Sequence, residues 1–269
     1  MSRWRFRALD FSFELCCSLA TLDDKLEALV GGYEKLGPDE FILYRYRLER
    51  KGDDYLLWRD KDLSYQGESQ AGLLDFFQIE LYRRIITNSH RRWLLHAAAL
   101  SQGNQVLVLA GPSDAGKSTL CRALMDAGWT YLSEEVVSLG EQTVDALRRP
   151  LNLDAPAQVP LGLEAISLRE DPPLWIAKPP PWPEGLRLEE LRVAALVRVQ
   201  YQPSQKTSLR RLSEGDARDA LWPCRMNGNI EVAQLASRIV AARPCYWLDS
   251  ADLPSALAAI DTISEIEIA

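Results

Sequence analysis

Residues 105–128 read QVLVLAGPSDAGKSTLCRALMDAG, and the fold turns on this stretch. Residues 111–118 within it satisfy the pattern G-x-x-x-x-G-K-[ST]. Gly111 and Gly116 let the backbone curl so that successive N–H groups point inward at a phosphate. Lys117 then reaches the outer phosphates, and the Ser118 hydroxyl can ligate Mg²⁺. The flanks agree with that reading. Gln105 to Ala110 is a short apolar run suited to a buried strand, and Thr119 to Ala127 has helical spacing before Gly128, a natural C′ residue. A strand, a glycine-rich loop and a helix N-terminus direct the helix dipole and its orphan N–H groups onto an anion. The segment Gly111, Pro112, Ser113, Asp114, Ala115, Gly116, Lys117, Ser118 and Thr119 is therefore the candidate nucleotide-binding loop.

The rest of the chain limits what this loop serves. At 269 residues there is length for one large domain or two small ones. A net charge of −7 argues against a general nucleic-acid or membrane-surface binder. No apolar run approaches a membrane span, and the N-terminus lacks the hydrophobic stretch of a signal peptide. The five cysteines (Cys16, Cys17, Cys121, Cys224 and Cys245) lack metal-ligand spacing, and a cytoplasmic setting is expected.

The first ninety residues alternate apolar and polar positions instead of forming parallel-sheet runs. A strand is expected at Phe11 to Cys17, a helix from Leu22 to Leu36 behind a Thr21 cap, a hairpin of Phe41 to Arg50 with Tyr55 to Arg59 across KGDD, and a helix from Leu73 to Thr87. These define a small α+β unit over 1–91, with the P-loop domain over 92–269. In that domain WLLHAAALS, a Gly103–Asn104 turn and QVLVLA make a hairpin feeding the loop, and Trp129 to Leu132 is the next strand. The proline-rich Pro150–Pro183 segment reads as a long, partly irregular surface excursion of the kind that serves as a lid or substrate channel. Val193 to Val199 and Tyr246 to Leu248 are further strands, and helices are expected from Ser213, over Glu231 to Ala241, and over Leu253 to Ile263.

A phosphate loop does not fix the reaction. The D-x-x-G and N-K-x-D elements of a GTPase and the LSGGQ-like element of an ABC-type ATPase are both lacking. Cys245 to Asp249 (CYWLD) does fit the run of apolar residues ending in an acid that a general P-loop ATPase needs. The stronger acids are Glu134 and Glu135, seventeen and eighteen residues after Lys117, at the end of the strand that follows the loop's helix. If that strand lies beside the loop strand, one carboxylate can serve the metal and the other the acceptor hydroxyl. His96, among small alanines before the hairpin, is either a core residue or a group folded beneath the phosphates. Arg149 is a candidate phosphate clamp.

Together these residues resemble the HPr kinase/phosphorylase superfamily, nearest its branch of HPr-kinase-related serine kinases. The resemblance rests on His96, the loop Gly111 to Ser118, Gly128 with Trp129, and Glu134–Glu135. Arg149–Pro150 and the tail around CYWLDSADLPSALAAID match more loosely. It implies an α/β P-loop kinase core of the HPr-kinase-like type behind a small α+β N-terminal domain. It also implies transfer of the γ-phosphoryl group of ATP, with Mg²⁺, to a serine hydroxyl of a peptide or protein. In that picture Ser118 and Glu134 serve the metal and Glu135 the acceptor, with these two acids exchangeable; His96 orients the phosphate and Lys117 and Arg149 support it. The chain departs from the family at Glu134 (usually Asp), Asp114 (usually Gly) and Asp154 (usually Lys), and shows no counterpart of the segment that grips HPr. A nucleotide-binding pseudokinase or adaptor and a plain ATPase using Asp249 stand as alternatives, and oligomerisation is left open.

Overall fold

Alternation of arginine with apolar residues in SRWRFRA makes strand β1 (Ser2–Ala8), which turns back through Leu9 into β2 (Phe11–Cys17). The computed structural model describes residues 2–153 and 163–268, and these divide into two compact units. The first holds residues 1–89 and 148–179, and the second holds 90–147 and 180–269, a different partition from the expected division at 91/92.

In the first unit, helix α1 (Asp23–Val30) connects β2 to β4 (Tyr44–Lys51), past the two-residue edge strand β3 (Glu34–Lys35). The helix expected to reach Leu36 stops at the Gly31–Gly32 pair, where the Gly31 N–H closes the last turn on Glu27 O at 2.7 Å. A Cβ at Gly32 would stand 2.2 Å from Arg148 O, so the backbone there must remain bare. The hairpin then runs through β4 and β5 (Asp54–Arg59), turning at Gly52 with φ 63°, and continues into β6 (Asp62–Gly67). Sheet order is β3-β1-β2-β4-β5-β6, with only β2 and β4 parallel. Helix α2 (Gln70–Asn88), capped by the Ser69 hydroxyl, buries Leu73, Phe77 and Leu81, and Phe77 meets Tyr46 edge-on at 5.5 Å.

The second unit begins with β7 (Trp93–Leu95), β8 (Ala97–Gln102) and β9 (Gln105–Ala110). After β9 come the glycine-rich loop and helix α3 (Lys117–Asp126), which ends as Gly128 takes φ 93° and its N–H bonds to Met125 O. Strands β10 (Thr130–Ser133), β11 (Val137–Leu139) and β12 (Val144–Ala146) follow. The chain then supplies three short strands to the first unit: β13 (Leu151–Leu153), β14 (Ala165–Glu170) and β15 (Pro173–Ala177). The described part of the proline-rich segment is thus largely paired strand, not irregular excursion. Its apolar alternation buries Leu168 and Ile176, while Pro172 and Pro173 fall at the turn, where no ladder donor is needed. Asp154 lies outside the described residues.

Returning to the second unit, β16 (Arg192–Tyr201), helices α4 (Glu214–Leu221) and α5 (Ile230–Ala242), β17 (Ser208–Arg211), β18 (Cys245–Ser250) and α6 (Leu253–Glu267) complete the chain. The sheet order is β10-β8-β9-β16-β18-β17, with β9, β16 and β18 parallel. This is a mixed α/β architecture. Strand period two sends Val106, Val108 and Ala110 of β9 into a core with Leu221 of α4 and Leu235 and Ile239 of α5. No described helix is long and apolar enough to cross a membrane.

One expectation needs correcting. The strand leading to Glu134–Glu135 is not beside β9; β8 lies between them. Because β10 is antiparallel to β8, and β8 to β9, β10 still runs with β9 and ends at the same edge of the sheet. The hairpin that feeds the loop takes the neighbouring place because its two-residue turn makes that pairing local, displacing the next strand outward by one position.

Candidate functional site

The carboxyl ends of β9 and β16 open onto one edge of the second unit's sheet, the position where open α/β sheets collect ligands. Gly111 leaves β9 there in a space too tight for a side chain. A Cβ on it would come within 2.8 Å of Val199 O and 2.9 Å of the Ala115 Cβ. The loop closes with the Ala115 N–H directed at Pro112 O at 3.4 Å, and Gly116 takes φ 88° as the residue before α3. Asp114 is also left-handed, at φ 63°. Among residues with a side chain, Asp and Asn are the ones best suited to that region, which explains how this chain makes the turn without a glycine.

Lys117 folds back over the loop. Its Nζ donates to Pro112 O at 2.7 Å, and the residue is only 5 % exposed. Burial pushes the ammonium pKa below its ordinary value; the carboxylates of Glu135 and Glu134, with the Cys224 thiol between them in strength, pull it part of the way back. Both acids are therefore within electrostatic reach of the ammonium. The first turn of an α-helix has N–H groups without internal acceptors, and Ser118 and Thr119 lie in that turn, the first partly exposed and the second exposed.

His96 sits in the break between β7 and β8, held at both ends of its backbone. Its N–H donates to Cys224 O at 2.7 Å, and its carbonyl accepts from the Gly111 N–H at 3.3 Å. The imidazole Nε2 stands 3.4 Å from Glu135 Oε2. Of the two readings of this histidine, the structure shows it at the edge of the loop and paired with an acid. Glu134 is buried, whereas Glu135 is partly exposed and its backbone is left-handed at φ 74°. Glutamate rarely takes that conformation, which costs of order 1–3 kcal/mol and persists only where the surroundings impose it. The turn is spanned by Ser133, whose buried hydroxyl lies 2.6 Å from Val136 O on the other side of the two acids.

The structure thus brings together His96, Gly111, Pro112, Lys117, Glu134 and Glu135. Arg149 belongs to the first unit, where its guanidinium lies 4.2 Å above the Tyr82 ring and the residue is buried. In that unit Lys178 pairs with Glu27 at 3.0 Å. Asp249, the acid of the ATPase alternative, is the penultimate residue of β18 and accepts the Trp247 indole N–H at 2.9 Å. Among the described residues no group of three or more His, Cys, Asp or Glu side chains gathers as a metal cage.

Two residues at this edge escaped the sequence reading. Arg198 is the charged residue within the apolar run of β16, paired in register with Ala110, and Arg225 follows Cys224. Both line a cavity of about 470 Å³ that also takes in His96, Gly111 and Glu135. A guanidinium near the carboxyl end of an otherwise apolar parallel strand was the available signal for Arg198; nothing in the sequence placed Arg225. No protein-family model matches this chain, and no curated protein matches its sequence.

Proposed function

We propose that the second unit is an ATP- and Mg²⁺-dependent phosphotransferase that acts on a serine hydroxyl of a peptide or protein. One observation carries this reading. A buried ammonium on a glycine-rich loop at a helix N-terminus shares a sheet edge with a histidine–carboxylate pair 3.4 Å apart. The donor set fits Mg²⁺·ATP. Loop N–H groups and Lys117 would hold the phosphates. Mg²⁺ needs only a hydroxyl and one carboxylate beside phosphate oxygens and water, so Ser118 and Glu134 would suffice without a protein cage. Mg²⁺·ATP, when bound, supplies an activated γ-phosphoryl group with the charge on its oxygens partly neutralised.

The chain's own residues then have distinct work. Glu135 accepts the proton from the serine Oγ as that oxygen bonds to phosphorus and the bond to ADP breaks. His96 holds the Glu135 carboxylate through Nε2, and Lys117 stays on the outer phosphates throughout. Five free thiols and the use of ATP fit a cytoplasmic enzyme. Incubation with γ-labelled ATP and a size-fractionated lysate tests the proposal. Label on serine in peptide or protein supports it; label only on small metabolites, or only as free phosphate, overturns it.

A second reading, a pseudokinase that binds nucleotide without turnover, draws on Asp114, whose carboxylate sits on the loop. A fixed negative charge there repels phosphate. Asp114→Gly is expected to raise ATP affinity a few-fold, more at low than at physiological salt, as an exposed charge requires. The melting temperature should barely move, since relief of the left-handed strain is offset by glycine's greater freedom in the unfolded chain. Calorimetry at two salt concentrations checks this, and unchanged affinity in both removes Asp114 as an argument for the pseudokinase.

A further inference from the structure

The cavity beside the loop is lined by Gly111, the His96–Glu135 pair, Arg198, Arg225 and Met226. Arg198 stands against the loop itself, its Nη1 3.3 Å from the place a Cβ on Gly111 would take. The segment that carries Arg225 is fixed to the histidine by backbone bonds. His96 N–H donates to Cys224 O at 2.7 Å, and Met226 N–H donates to Leu94 O at 2.8 Å. The Leu94 N–H in turn donates to Asn227 Oδ1 at 3.0 Å. Arg225 therefore stands at a set distance from the reacting groups.

Both guanidiniums are steadied by rings. Arg198 lies 5.2 Å from the Trp247 centroid and donates through Nη1 to Val199 O, and its buried Nε has no hydrogen-bond partner among the described residues. Arg225 lies 4.4 Å over Trp222 and donates through Nη1 to Trp222 O at 3.0 Å. Among the described residues neither has a carboxylate partner, although Arg92 and Arg238 in the same unit are paired with Asp145 and Glu141. A guanidinium held over a ring, with one donor already used, keeps the rest of its fork for a planar anion. Arg198 lies beside Gly111 and its charge bears on Lys117, so it belongs with the loop on the phosphate side, which leaves Arg225 for the acceptor. A space of this size suits a ligand of a few residues, not a folded surface.

We infer that the acceptor is an acidic peptide segment: a serine directed at Glu135, with an adjacent aspartate or glutamate gripped by Arg225 and an apolar neighbour on Met226. This rests on the phosphotransfer reading for which group reacts, but the anion site can be tested without turnover. The probes are two capped pentapeptides, Ala-Glu-Ser-Glu-Ala and Ala-Gln-Ser-Gln-Ala, titrated calorimetrically into the full chain saturated with Mg²⁺ and a non-hydrolysable ATP analogue. The acidic peptide should bind roughly ten-fold tighter, as the loss of one charge-assisted bond implies. That preference should vanish in Arg225→Gln and survive in part in Arg225→Lys. Arg225 is exposed, so neither variant threatens folding. Equal affinity for the two peptides, failure of both to bind, or a preference that persists in Arg225→Gln overturns the inference. The analogue is first titrated alone. If it does not bind yet the acidic preference depends on Arg225, the phosphotransfer reading fails and the anion site stands. If it binds and the preference is missing, the reverse holds.

Discussion

Replacing Lys117 by alanine is expected to abolish phosphoryl transfer and to weaken Mg²⁺·ATP binding by at least roughly 10- to 150-fold. That range is what losing a single charge-assisted hydrogen bond of about 1.5–3 kcal/mol implies. An arginine substitute should fail as well, because the ammonium sits in a compact buried place under the loop and a planar fork does not fit there. The methionine variant separates function from stability. Burial holds the folded-state pKa of Lys117 below its ordinary value, so the ammonium is a destabilising group wherever it is charged in both states. Between the lowered folded pKa and the unfolded one, the unfolded chain binds more protons, and the wild type's stability rises with pH. Lys117→Met should therefore melt no lower than wild type near neutrality, and any advantage should shrink as pH rises toward the unfolded lysine pKa. Bound phosphates would raise the ammonium pKa, so ATP affinity should fall as pH climbs through the lowered value. Calorimetry and thermal melts across pH test both halves. Unchanged ATP affinity in the alanine and arginine variants would sink the phosphate-loop assignment.

The parts of this molecule that depend on local chemistry were legible, and those that depend on long-range pairing were not. The β9–loop–α3 unit could be read because two glycines, a lysine and a flanking apolar run act within a few residues of one another. The β4–β5 hairpin announced itself through KGDD, and α2 through its spacing behind Ser69. The helix expected to Leu36 follows an apolar period that continues past Gly31–Gly32, whereas α1 ends at that pair, where Gly32 passes so close to Arg148 O, distant in sequence, that no side chain fits. The β8–β9 pairing follows from its two-residue turn, but the place of β10 on the far side of β8 is invisible locally. Glu134 and Glu135 were nevertheless identifiable, because the direction of β10, rather than its neighbour, sets the edge at which they emerge. Arg198 and Arg225, 27 positions apart, meet only once β16 and the segment after α4 are both in place.

Removing the Glu135 carboxylate should cost chemistry far more than binding. A positioned general base contributes about 10²–10⁴-fold, and the Glu135→Gln variant keeps the size of the side chain while losing its basicity. Transfer should fall by that order, with ATP affinity within a few-fold of wild type. The modest change in affinity follows because Glu135 meets the nucleotide only through its influence on Lys117, for which it is the largest of the charges favouring the ammonium. Its left-handed backbone adds a second handle. At φ 74° a glycine is more comfortable than any side chain, so Glu135→Gly should melt at or above wild type while transferring no phosphate. A variant that gains or keeps stability as it loses reaction marks a strained residue retained for its chemistry. His96→Gln extends the argument: if the imidazole acts by holding the carboxylate 3.4 Å away, its loss should slow transfer in the wild type but add little to Glu135→Gln. Additive losses in that double variant would mean that His96 acts elsewhere. A large defect in Asp249→Asn with none in Glu135→Gln would give the site to the acid near the end of β18, and overturn the assignment of the base.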